Sequence, residues 1–508
     1  MKSLKDKIGA FLDDRKNGAA TTTALIICAV MVFNVIFCYI TQAFGLYLYR
    51  AEYKEDFTIS GMTDQMFSEA MSAGEKVTIT FLMDRQKLFE HSTGYYVLDT
   101  VEQIAARYGD FISLRFVNTY TKLDQDNNKI DLDKYKTDMR GQEVALSRTA
   151  VIFESSNGSH RVLSNVQGGV GFVDFYTFDS SGNIISFNGE TVIASMICWV
   201  LAEEHKTAYI TANHAEENDV NFATMLAASG YYISGINLQD MDVPSDAGVV
   251  VISNPKNDFE KAAQGSGIVT EIERLEKYVN EGGSLYVSLD PYVKRLNNLE
   301  TFIESFGIKL KSGNTEIGEL RHLVRDSRNA ITIDGYTLLA DVASGGIADA
   351  VLASATRYSS GGIILRDAAA LELSGNARPL LVSSPASECT LGDEVVNTDG
   401  GYAVAAHSTR DAEEGKTANI VVISSVYLCA SDSITSNSYS NRDFIYALFE
   451  HAFGAENPPY GANSVTYIED DLKNLTMGEA KIYAALLISI PVILAAVGFA
   501  VIIRRKNR

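Results

Sequence analysis

The chain has few cysteines, and two of its five, Cys28 and Cys38, fall in one apolar run, which leaves Cys198, Cys389 and Cys429. An odd number of thiols with no C-x-x-C spacing excludes a disulfide framework and a zinc ribbon. Positive charge is scarce as well. The 43 Lys and Arg stand against 64 Asp and Glu, for a net charge of −21. Such a surface repels nucleic acid and anionic lipid head groups, so nucleic-acid binding is excluded. There is no P-loop, no G-x-G-x-x-G and no H-E-x-x-H. ATP-driven work therefore belongs to another polypeptide, and neither a cofactor nor a metal is expected.

Long apolar runs are present, and there are two. Residues 24–49 carry no charge over 26 positions, and residues 482–503 carry none over 22. About 20 apolar residues cross the hydrocarbon core as a helix. The first run follows a 23-residue leader and exceeds the ~7–15 residues of a signal-peptide core, so it reads as a retained anchor. Lys2, Lys5, Lys7, Arg15 and Lys16 precede it, while Arg504, Arg505, Lys506 and Arg508 follow the second run. The positive-inside rule places the basic tails, residues 1–23 and 504–508, in the cytoplasm. A cell-membrane protein is expected, spanning twice, with both termini cytoplasmic and residues 50–481 outside. The tails carry +2 and +4, which leaves −27 for the remainder.

The outside portion reads as α/β. Over residues 50–187, "KVTITFLM" is a strand, the stripe Val97, Val101, Ile104 and Tyr108 is a helix, and "FISLRFVN" and "TAVIFES" are further strands. This start predicts a thioredoxin-like domain without its redox cysteines. A linking helix occupies 188–205, with Val192, Ile193, Met196, Ile197 and Val200 on one face and Cys198 as packing. Residues 206–311 alternate strand and helix. "DAGVVVISNP" is continuously apolar, as in a strand buried on both faces of a parallel sheet, and Thr270 with Glu273 forms a T-x-x-E capping box. That rhythm predicts a flavodoxin-like, doubly wound domain of the class I glutamine amidotransferase type. Residues 312–416, rich in Gly, Ser and Ala, read as a β-rich insertion. Residues 417–456 restore a strand and a closing helix, and 457–481 lead back to the membrane.

Ligands of an open α/β sheet sit beyond the carboxyl ends of its strands. Four such ends are polar here: "NHAEEN" with Asn213, His214 and Glu216; Ser253-Asn254; Asp290; and Ser424-Ser425. Together they define a candidate binding crevice. The same residues suit strand-to-helix turns, where Asn218 or Asp219 would cap the next helix. H-x-E alone is not a metal-ligand spacing. Nor does any strand end carry the cysteine elbow that a hydrolase or amidotransferase of this sheet type requires. NHAEEN thus reads as a turn lining a crevice rather than a catalytic centre.

In their order along the chain these segments resemble the GldG-like auxiliary subunits of ABC transporters, a group named after bacterial gliding motility. "FNGETVIASMICWV" is similar to the family's G-E helix, and "AYITANHAEEN" to its strand ending in G-H-G-E. "VVVISNPKNDFEKAA" and "YVNEGGSLYVSLDP" resemble its N-P-x-x-D-(F/L) and Y-x-x-x-G-G segments. Both glycines of G-H-G-E are replaced, by Asn213 and Ala215. The resemblance implies a non-catalytic bacterial transport subunit beside a permease and a separate cytoplasmic ATPase. The alternatives are a membrane-tethered hydrolase or amidotransferase-like enzyme using His214, and a surface scaffold.

Overall fold

The computed structural model describes residues 59–466 except 167–169, 179–181, 262–268, 317, 327, 358–360, 437, 457 and 462–464. The two expected spans, 24–49 and 482–503, lie outside these residues. Among the described residues no helix is long and apolar enough to cross a membrane.

The described chain is mixed α/β and belongs to one compact unit that begins at Ile59. After helix α1 (Met62–Ser72), β1 (Val77–Phe81) leads through α2 (Arg85–Glu90) and α3 (Gly94–Arg107) to β2 (Ile112–Asn118). β1 and β2 pair in parallel. Short β3 (Leu123–Asp124) closes one edge, while β4 (Val151–Ser155) pairs antiparallel with β1 and with β5 (His160–Leu163) on the other. Val97, Val101 and Ile104 on α3 are fully buried. A hairpin, β6 (Tyr176–Phe178) and β7 (Ile184–Phe187), then feeds α4 (Gly189–Leu201). Of the stripe expected on α4, Ile193, Met196, Ile197 and Val200 are buried and Val192 is half-buried, while Ala194, Ser195 and Trp199 are buried too. The helix packs on β4, β5 and the next helix.

The second sheet has nine strands. β8 (Thr207–Thr211), β9 (Tyr232–Ile236), β10 (Ala247–Ser253), β11 (Leu285–Ser288) and β22 (Thr417–Ile423) are parallel neighbours in the order β9-β8-β10-β11-β22. Helices α5 (Val220–Ala228), α6 (Glu271–Asn280) and α7 (Asn297–Glu304) connect them. Alternation of side chains explains the unbroken apolar run of β10. Val249 and Val251 belong to the core on one face, which also takes in residues of α5, of α8 (Ile347–Ala355) and, past a short α9 (Ser431–Ile434), of α10 (Asn441–Phe453). Val250 and Ile252 pack with α6 and α7 on the other. All four are fully buried, each worth roughly 1.5–3 kcal/mol of apolar transfer.

Residues 312–416 are not set apart from this sheet. β15 (Thr337–Val342), β16 (Ile363–Arg366), β18 (Arg378–Val382) and β21 (Ala403–Asp411) extend it antiparallel beyond β22. β12 (Ile308–Leu310) and β17 (Leu371–Leu373) form an antiparallel pair, and β13 (Ser312–Thr315), β14 (Gly318–Arg325), β19 (Glu388–Leu391) and β20 (Glu394–Asn397) make a separate four-stranded sheet.

Candidate functional site

The order of the parallel strands reverses between β8 and β10, so the loops after these two strands flank the position where such sheets receive ligands. Here the loops clasp each other. The His214 carbonyl accepts hydrogen bonds from the backbone N–H of Lys256 (2.8 Å) and Asn257 (3.0 Å), and Glu217 N–H donates to the Ser253 carbonyl (3.2 Å). The Ser253 hydroxyl returns a bond to the Glu217 carbonyl at 2.9 Å. Lys256 Nζ reaches Asp290 at 2.5 Å and Glu217 at 3.4 Å, joining the loop after β11 to the other two.

His214 lies inside the clasp with 2% of its surface exposed. Its ring stacks on Phe259, centroids 3.9 Å apart and planes within 5°. Nδ1 is 3.2 Å from Glu216 Oε1, and Nε2 is 3.1 Å from Glu271 Oε2. Glu216 also accepts the His214 backbone N–H (2.8 Å), and Glu271 that of Glu260 (2.7 Å). Both carboxylates are as buried as the ring. Burial alone would lower the imidazolium pKa, but the hydrogen bonds and charges of Glu216 and Glu271 outweigh it and raise the value above 6.5. Burial likewise pushes Glu216 up, yet bonds from the imidazole and from backbone N–H groups carry its pKa below 4.5. Imidazolium and Glu216 carboxylate thus hold each other charged. Such a ring has no free nitrogen with which to take a substrate proton. Glu271 Oε1 and Asn254 Oδ1, both enclosed, have no partner among the described residues.

Asn213 has φ 84° and Ala215 φ 53°, so both residues of the turn occupy the left-handed region that glycine favours. Asp219, the second of the two expected caps, accepts the N–H groups of Asn221 (2.7 Å) and Phe222 (3.4 Å) at the start of α5. The capping box at α6 forms, with Thr270 N–H donating to Glu273 at 2.8 Å.

The structure therefore brings Asn213, His214, Glu216, Ser253, Asn254 and Asp290 to one edge of the sheet. Asn254, at φ 49°, is buried and donates its backbone N–H to the Ser288 carbonyl at 2.9 Å. Ser424 does not join this group. Its strand ends in register with the others, but its hydroxyl bonds the Ala369 (2.6 Å) and Val404 (2.8 Å) carbonyls, and Ser425 bonds Arg366. The sequence reading missed Glu271 and Phe259, the other two faces of the His214 pocket. Their signal was local: Glu271 is the first residue of the capping-box helix, and Phe259 belongs to "NPKNDF".

The other motif residues also hold elements together. Asp258 accepts the N–H groups of Asn298 (2.9 Å) and Leu299 (3.1 Å), capping α7 from a distant loop. Glu190 accepts both N–H and hydroxyl of Ser60 at 2.8 Å. A Cβ on Gly189 would come within 2.2 Å of the Phe187 ring. Among the described residues no group of three or more His, Cys, Asp or Glu is placed to hold a metal ion. The thiols of Cys198, Cys389 and Cys429 are buried or half-buried, and burial lifts those of Cys198 and Cys429 to about 12.

The chain matches no protein-family model and no curated protein. Several solved structures are similar to about half of it. The mmIFT52 N-terminal domain is 15% identical, with 48% of this chain and 96% of that one covered and a TM-score of 0.35. A ThuA-like protein from Bacteroides uniformis is 12% identical over 50% and 97% of the two chains, TM-score 0.29. PurLQS from Thermotoga maritima is 11% identical over 48% and 98%, TM-score 0.27. Likenesses this distant say nothing about activity.

Proposed function

We propose that the chain is a non-catalytic auxiliary subunit of an ABC-type transport system. Its extracytoplasmic domain binds a substrate or surface partner, its helices at 24–49 and 482–503 anchor it beside a permease, and a separate cytoplasmic ATPase supplies the energy. The observation that carries this reading is the His214 clasp. A buried imidazole with both nitrogens engaged by carboxylates serves as structure, not as a general base. Left-handed Asn213 and Ala215 support the resemblance to G-H-G-E, because they occupy the backbone that the two glycines would.

The finer fold assignment belongs to the same proposal. Counted along the chain, the parallel strands β8, β9, β10, β11 and β22 stand in the order 2-1-3-4-5, which is flavodoxin-like. The β1-α3-β2 unit with its antiparallel β4–β5 hairpin and following α4 supports a thioredoxin-like start.

Affinity purification of the tagged full chain from native membranes tests the function. Recovery of a multi-span permease with its ATPase is expected. Exchanging residues 24–49 and 482–503 for unrelated apolar spans should release them. A chain that purifies with neither component contradicts the proposal.

A further inference from the structure

A second polar cluster lies away from the strand ends, where β5 and α4 meet β9. A cavity of about 250 Å³ there is lined by Asp138, Arg140, His160, Arg161, Trp199 and Tyr232, among others. Arg161 is half-buried, with its Nη1 enclosed, and among the described residues that nitrogen has no hydrogen-bond partner. The guanidinium lies 4.8 Å from the Trp199 ring centroid, and Arg140 lies 3.8 Å from that of Tyr232. Trp199 Nε1 and the Tyr232 hydroxyl, both enclosed, also lack partners among the described residues.

The nearby carboxylates are committed elsewhere. Asp138 pairs with Arg140 at 3.5 Å, and Asp174 accepts the backbone and side-chain N–H groups of Asn165. They touch Arg161 only through their fields. Burial dominates and lowers the Arg161 guanidinium to about 10. His205, stacked on Trp199 at 3.7 Å, is lowered to about 4 by burial and by Arg161, and so is neutral near pH 7. A half-buried cation with no ion-pair partner among the described residues is left partly uncompensated, and enclosed donors without acceptors are rare in native structures. Both deficits point to an acceptor-rich, negatively charged occupant. The planar Arg fork suits two-oxygen binding of carboxylate or phosphate.

We infer that this cavity binds a small oxyanionic solute, a molecule carrying a carboxylate or phosphate group, with Arg161 as its principal counter-ion. The inference is independent of the transport reading.

Trp199 is the only tryptophan in the chain, so its fluorescence reports on the cavity directly. The full chain would be titrated with inorganic phosphate and, separately, with succinate at constant ionic strength, with chloride as control. A saturable change with at least one of the two is expected, and none with chloride. Response to phosphate alone identifies a phosphate-bearing solute, and to succinate alone a carboxylate. Arg161→Gln should weaken binding by about tenfold or more, as loss of a charged hydrogen bond does, while leaving thermal unfolding of the unliganded protein unchanged or raised. Arg161→Lys, which keeps the charge without the fork, should fall between. No saturable response to either anion overturns the inference, as does equal binding by Arg161→Gln. So does a lowered unfolding temperature in both variants without ligand, since the cation would then already have its partner inside the protein.

Discussion

Two polar clusters behave in opposite ways. At the β8–β10 edge every nitrogen of His214 has a carboxylate partner, and the atoms left over are acceptors, Glu271 Oε1 and Asn254 Oδ1. Where α4 meets β9, the atoms left over include the donors Arg161 Nη1 and Trp199 Nε1, beside a cavity. The first cluster is closed by the protein's own bonds and works as a clasp. The second is incomplete without something from outside. Sequence motifs direct attention to the first, yet the bonding deficit marks the second as the place for a ligand.

The largest effect that could break this contrast is at His214. His214→Ala leaves two buried carboxylates without their cation, and loss of one partner from a buried ion pair destabilises by about 3–5 kcal/mol. Chemical denaturation should read that loss directly, whereas a ligand-facing histidine would leave stability almost unchanged. Asp258→Ala removes two backbone caps from α7 and should destabilise by about 1–2 kcal/mol in the same assay. Ala215→Gly acts in the other direction. It relieves an alanine at φ 53° and should stabilise by about 1 kcal/mol. A destabilised Ala215→Gly protein would show that the turn's left-handed backbone is not what the strand end requires.

The clasp also has a pH signature. His214 is raised above 6.5, so its contribution is complete below that value and is lost as pH rises through the folded pKa. Glu216 is lowered below 4.5, so its contribution is complete above 4.5 and is lost as pH falls through the folded value. Both contributions are complete between about pH 4.5 and 6.5. The stability difference between wild type and His214→Gln should be greatest in that window and shrink on either side. A difference that does not vary with pH would remove the charged clasp from the account.

Local chemistry made much of the parallel core legible. Continuous apolar runs gave the strands Ala247–Ser253, Leu285–Ser288 and Thr417–Ile423, and the capping pattern at Thr270–Glu273 gave the start of α6. The antiparallel half of the sheet was not legible. β15, β16, β18 and β21 read as an insertion because short strands in a Gly- and Ser-rich segment carry no sign of which sheet edge they join. At the site, the turn and its cap were visible in seven residues, 213–219, but the second carboxylate on His214 comes from 57 positions away. Arg161 was invisible for another reason. Whether an arginine in "HRVL" has a partner depends on what the fold places around it, and periodicity carries no such information.

The most direct test follows the His214 ring itself through a pH titration. In the full chain labelled with ¹⁵N-histidine, assigned by its loss in His214→Gln, the ring nitrogens report protonation. An imidazolium clasped by Glu216 and Glu271 should persist above pH 6.5, titrating later than an ordinary histidine. A ring that titrates at or below 6.5 would be neutral in the working protein, free to offer a nitrogen to a ligand, and would contradict the clasp.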